Sequence, residues 1–271
     1  MIDFALISRS TDRYNFHSHT QFCDGRNTMA EFAAAAAAAG MEHYGFTPHS
    51  PIPVESPCNM PAIQVPEYLA EVARLRSLYA GRLNLYAGME VDYLGDDWGP
   101  AHPYFAGLGL DYTIGSVHFL PGNDGMVDID GNPQSFARKL DAHFGGDLRH
   151  VVELYYSRIE DMVRAGGFDI LGHYDKVGLN ASACCPGIED ERWYVDLTDR
   201  VTGAIIDSGV AVEINTKAFH QAGRFSPDRR HWKRLADAGV TILVNSDAHF
   251  TELIDVHRAE ALDILRSIRN S

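Results

Sequence analysis

Cysteine is scarce in this chain and wrongly spaced for structural work. The four present, Cys23, Cys58 and the adjacent Cys184 and Cys185, form no CxxC pair and no even framework. That excludes a zinc ribbon and a disulfide scaffold. No apolar run approaches the length of a membrane span. The opening stretch MIDFALISRSTDRYNFH has neither the basic start nor the long apolar core of a signal peptide. A cytoplasmic protein with no membrane partner is therefore expected. Positive charge is also short: Lys and Arg total 23 against 37 Asp and Glu, a formal net charge of −14. Such a surface does not favour nucleic acid or anionic lipid. It leaves a small phosphorylated substrate open, because divalent metals reverse the local charge of a pocket. Linkers rich in Pro, Gly or Ser and sustained charge runs are absent too, so residues 1–271 are read as one domain.

What the chain does have is core. Apolar residues make up 45% of it and charged residues 22%, enough for a sizeable buried interior. Strand-like runs (YNFH, HYGFT, LNLYAGMEV, DYTIGSVH, FDILGH, VAVEIN and VTILVNSD) alternate with helix-like stretches. Among the latter are PEYLAEVARLRSLYAG, LRHVVELYYSRIEDMVRAGG and DRRHWKRLADAG, and several end in glycine, as helices tend to. The alanine run in FAAAAAAAG reads as a further packed helix with a glycine stop. This alternation predicts an α/β fold with a parallel sheet covered by helices. Seven units favour a closed or nearly closed, TIM-like (β/α)7 barrel over a doubly wound open sheet.

The polar residues sit where those strands end. His17 and His19 close the first, His49 follows the second and Glu90 lies at the end of the third. His118 and His173 close the fourth and fifth, and Asp247 with His249 the seventh. In an α/β barrel these ends share one rim, where reactive groups gather. A lone HxH pair or a lone strand-end histidine more often just bonds a loop. The joint pattern points to metal, since imidazole and carboxylate suit zinc, manganese and iron. With Asp24 added there are nine candidate ligands. They exceed what one ion needs, so two or three divalent ions with Glu90 as the bridging carboxylate are expected.

The motifs HSH, CDG, TPHS, GMEVD, GSVH, LGH and NSDAH, in that order, resemble the polymerase and histidinol phosphatase (PHP) superfamily. The resemblance runs from about residue 13 to about residue 250. It implies a distorted seven-stranded (β/α) barrel. DYTIGSVHFL and YYSRIEDMVRAGGFDILGHYDKV resemble in particular the stand-alone histidinol-phosphate phosphatases. Carried over, the pattern implies one metal held by His17, His19, Glu90 and Asp247, and a second by Glu90, His118 and His173. A third would be held by Asp24, His49 and His249. Asp24 and His249 are also the groups placed for catalysis, with Asp24 either ligating or supplying the leaving group's proton. After VAVEINT the family usually continues with a loop similar to SGLRK, whereas this chain reads KAFHQAGRFSP. Lys217, Arg224, Arg158 and His220 are then the expected substrate-side residues. The implied reaction is hydrolysis of L-histidinol phosphate by metal-activated water. A nucleotide or another small phosphorylated metabolite is the alternative substrate. An amidohydrolase would want a bridging lysine on the fourth strand, which GSVH lacks. A binding module with purely structural metals would want closed sites, and ligands spread over a rim leave room for water. Oligomeric state is open.

Overall fold

The apolar runs form short parallel strands. The structure is a computed structural model that describes residues 2–270. The strands are β1 (Tyr14–Asn15), β2 (His43–Phe46), β3 (Asn84–Ala87), β4 (Glu90–Asp92) and β5 (Ile114–Ser116). They continue with β6 (Phe119–Gly122), β7 (Gly125–Asp128), β8 (Ile170–Leu171), β9 (Ala211–Asn215) and β10 (Ile242–Asn245). β1, β2 and β3 make one parallel sheet, and a second runs β10-β9-β8-β5-β4. The alternation of strands and helices is thus observed. The sheets meet at two isolated parallel bridges: Ser18 with Ala248, beyond β1 and β10, and His49 with Glu90, beyond β2. A continuous closed ladder is not found among the described residues.

Two local expectations change. LNLYAGMEV is not one strand: β3 pairs with β2, and after Gly88 and Met89 the chain crosses so that β4 pairs with β5. The Tyr112 ring explains the break. Its hydroxyl donates to the Phe16 carbonyl at 2.7 Å. A Cβ on Gly88 would lie 2.6 Å from the phenol carbon, and one on Gly45 would overlap the hydroxyl itself. Only glycine lets these strands close on the ring. Glu90 consequently opens β4 instead of ending a longer strand. The second change is the antiparallel hairpin of β6 and β7, which follows the fourth parallel strand.

Helices cover the sheets through apolar stripes. The helix Leu148–Ala165 buries Val151, Val152, Tyr155, Tyr156, Ile159 and Met162, a spacing of three and four residues. The alanine-rich helix Met29–Ala38 starts at a capping box formed by Thr28 and Glu31. Between the sheets, Tyr14 and Phe16 pack with Ile114, Ile170, Ala211 and Leu243, so both sheets face one interior. Phe4 and Ile7, from the N-terminal helix Phe4–Ser10, join this group. None of the described helices is long and apolar enough to cross a membrane. Gly45→Ala should destabilise the fold by about 2 kcal/mol or more through overpacking against Tyr112. A shift of the urea midpoint measures this; an unchanged midpoint would contradict the packing described.

Candidate metal centre

The segments just past the strands bring the nine predicted ligands into one cluster. The extended stretch after β1 sends His17 and His19 to the same side, with their Nε2 atoms 3.1 Å apart. Asp24 reaches them because the chain turns tightly at Gly25, where a Cβ would collide with the His19–Thr20 backbone. Glu90 lies at the centre and is buried. Its Oε2 is 3.3 Å from Nε2 of both His17 and His19, and 3.0 Å from Nδ1 of His49. Its Oε1 is 2.9 Å from His173 Nε2 and 3.5 Å from His118 Nε2, and accepts from the Ser116 hydroxyl at 2.7 Å. Asp247, held at φ 48°, places Oδ1 3.1 Å from His19 Nε2. Asp24 faces His249 Nε2 at 3.3 Å and His19 Nδ1 at 3.6 Å.

The donor set fits divalent cations. Glu90 Oε2, His118 Nε2, His49 Nδ1, His173 Nδ1 and Asp24 Oδ1 are buried without a hydrogen-bond partner. Orphaned buried groups of this kind are costly unless something else satisfies them. Four overlapping sets each bring their ligand atoms within 4.8 Å of one another. These are His19, Asp24, His49 and His249; His17, His173 and Asp247; His17, His19 and Glu90; and His49, Glu90 and His118. Imidazole nitrogens and carboxylate oxygens are the ligands zinc and its neighbours accept.

Residues 15–217 match the model of the PHP domain. The chain belongs to the PHP family. It is 30% identical over 256 residues to the probable histidinol-phosphatase of Deinococcus radiodurans, covering 93% of this chain and 92% of that one. Two crystal structures share the fold. One is a histidinol phosphatase candidate of Listeria monocytogenes, with TM-score 0.81 and 18% identity over 91% of this chain and 99% of that one. The other is the Lactococcus lactis histidinol phosphate phosphatase in complex with zinc, L-histidinol and phosphate. It has TM-score 0.66 and 17% identity, and covers 95% of this chain and 94% of that one.

Around the cluster of this PHP chain stands a ring of carboxylates and amides, of which Asp92 and Asn245 lie within the motifs GMEVD and NSDAH and the others outside the seven motifs. Glu213 on β9 accepts from His17 Nδ1 at 2.7 Å and is itself held by the amides of Asn215 and Asn245, at 2.8 and 3.0 Å. Asp92 on β4 accepts from His118 Nδ1 at 2.7 Å and from Asn59 at 2.9 Å. Such partners fix the tautomer so that the other ring nitrogen faces the metal. Burial disfavours a charged His17, yet Glu213, Asp247 and Glu90 hold its pKa well above the usual histidine value. Burial likewise opposes charge on His118, but Asp92 and Glu90 push it up to about 9. His19 goes the other way, held well down by burial and by His249 and His49. Glu90 stays well below the usual carboxylate range against its own burial, drawn down by His17, His49 and His118.

On the substrate side, a cavity of about 70 Å³ at the cluster adjoins one of about 570 Å³, and Asp130, His173, Lys176, Lys217 and Asp247 line both. Lys217 places Nζ 3.2 Å from His249 Nε2. Arg224 borders the larger cavity, but its guanidinium is taken up by Glu189 (2.7 and 2.8 Å) and Asp175 (2.8 Å). Arg158 and His220 line neither cavity. Arg158 is half-buried on the helix Leu148–Ala165, beside Gly95. In the helix Lys217–Ala222, residues 217, 218, 221 and 222 face the cavity. At 3.6 residues per turn that turns exposed His220 away. Two outcomes are expected. Glu213→Gln should weaken zinc affinity by about 10- to 100-fold, read by chelator competition, and wild-type affinity would remove it as the orienting partner. Arg224→Ala should cost about 3 kcal/mol of stability by removing the cation that Asp175 and Glu189 share, so unaltered thermal unfolding would show the ion pairs to be dispensable.

Proposed function

We propose that this chain is a metal-dependent phosphatase that hydrolyses L-histidinol phosphate to L-histidinol and phosphate. The observation that carries the reading is Glu90, whose two buried oxygens are faced by the rings of five histidines in a small cavity that adjoins a larger one. The Deinococcus radiodurans relative and the Lactococcus lactis complex support the substrate. In this reading two or three divalent ions are held. His17, His19, Glu90 and Asp247 make one group, Glu90, His118 and His173 another, and Asp24, His49 and His249 the third. Seven strand–helix units of a distorted barrel in one domain bring those groups together.

Bound divalent ions supply a water of lowered pKa and neutralise charge on the phosphoryl oxygens. The chain's own residues do the rest. Glu213 and Asp92 keep His17 and His118 in the ligating tautomer. Lys217, on the Asp247 and His249 side, meets the phosphoryl group as a point charge. Asp24 has an oxygen toward His249 and another toward His19, the geometry of a ligand. The larger cavity receives the leaving alcohol, with amide side chains of Asn132, Asn180 and Gln221 in its wall.

The test is phosphate release from L-histidinol phosphate, nucleotides and other small phosphomonoesters, with and without chelator. L-Histidinol phosphate should be turned over with the highest kcat/KM, and chelation should abolish it. His17→Ala should lower kcat/KM by at least about a hundredfold with the fold retained by circular dichroism. A fully active His17→Ala protein with normal metal content would sink the metal assignment. A nucleotide preferred over L-histidinol phosphate would replace the substrate.

A further inference from the structure

We propose that Lys176 is a phosphate-binding residue of this site, a role that rests on the phosphatase reading above. Lysine is rare in the chain: Lys139, Lys176, Lys217 and Lys233 are all there are. Two of those four line both cavities at the cluster. Lys176 follows His173 by three residues, and its amide donates to the His173 carbonyl at 3.0 Å, which fixes it relative to that ring. Its ammonium pairs with Asp130 Oδ2 at 2.5 Å and has no second hydrogen-bond or ion-pair partner among the described residues, with Asp247 and Glu90 acting on it only from further off. Lysine carries three N–H donors. Two are therefore left for a ligand.

The plain alternative is a structural ion pair that pins the segment after the β6–β7 hairpin. That segment is already tied by Lys139, whose Nζ donates to Asp128 at 3.1 Å and to the Asp130 carbonyl at 3.3 Å. A second lysine is not needed there to hold it. Charge balance points the same way. Six carboxylates line the small cavity (Asp24, Glu90, Asp92, Asp128, Asp130 and Asp247), with Lys176 and Lys217 its only lysines and no arginine. The guanidinium that borders the larger cavity, Arg224, already gives three of its five N–H donors to Glu189 and Asp175, and those two carboxylates more than balance its charge. A phosphoryl group at the junction of the two cavities meets Lys217 on the Asp247 side and Lys176 on the His173 side. Lys176 thus takes up the second cationic contact that the sequence assigned to arginine.

The experiment uses metal-loaded protein and inorganic phosphate as the probe. Lys176→Met should weaken phosphate binding by calorimetry roughly tenfold or more, the loss expected for one charged hydrogen bond. KM for L-histidinol phosphate and for p-nitrophenyl phosphate should rise by a similar factor, because both share the phosphoryl group. Metal content should match wild type, and Lys176→Arg should recover most of the affinity. Wild-type phosphate affinity in Lys176→Met would overturn the proposal. If that variant does not fold, Lys176→Gln, which keeps a donor toward Asp130 without the charge, decides by the same measurement. Failure of the substrate reading looks different: wild-type protein would bind phosphate yet not hydrolyse L-histidinol phosphate, while the Lys176→Met difference in phosphate affinity persisted.

Discussion

A carboxylate shut away from water must be neutralised by what surrounds it, and Glu90 sets that condition for the whole site. It is 1% exposed, and neither oxygen has a lysine or arginine against it. Imidazoles surround it, yet buried Asp92 and Glu213 stand close behind those rings and buried Asp247 lies on the same side as Glu90. Neutral histidines alone cannot balance so many anions, and protonating them all would crowd like charges together. Divalent cations resolve the conflict, since each pairs with carboxylates and takes a lone pair from neutral imidazole. His17 and His19, two residues apart, are driven in opposite directions: against its burial His17 is pulled up by Glu213, Asp247 and Glu90, whereas burial, His249 and His49 push His19 down.

Much of this arrangement was legible in the sequence because chain order and strand ends carry it. HSH, GSVH, LGH and NSDAH each end an apolar run, and a parallel architecture sends those ends to one side. The ligands' partners were harder to see. Glu213 and Asp92 are single carboxylates within short strands, and alternation alone reads such a position as facing solvent. Only the topology, with β9 between β8 and β10 and β4 beside β5, buries them. The ion pairs of Arg224 are hidden for a related reason: its partners are 35 and 49 residues away, and sequence alone does not tell a free guanidinium from a clamped one.

The break in LNLYAGMEV was also hidden, because its cause is a ring from a distant segment. Tyr112 occupies the space beside Gly45 and Gly88, and the apolar pattern runs on regardless. The β6–β7 hairpin did leave a trace. FLPG and GMVD are separated by Asn123 and Asp124 alone, a two-residue spacing rich in turn formers. It went unread because strand–helix alternation dominated that region.

The seam between the two sheets has a consequence beyond chemistry. His17, His19 and His49 lie just past strands of the three-stranded sheet, whereas Glu90 opens β4 and His118, His173, Asp247 and His249 lie just past other strands of the five-stranded one. Backbone contact between the halves at that rim includes the isolated pairs Ser18–Ala248 and His49–Glu90 and a hydrogen bond from the Arg26 amide to the His249 carbonyl. An ion held by ligands from both halves would tie them together and add its binding free energy to the packing that already joins them. Stability and turnover would then answer to one occupant, and its removal would loosen the seam as well as stop the reaction.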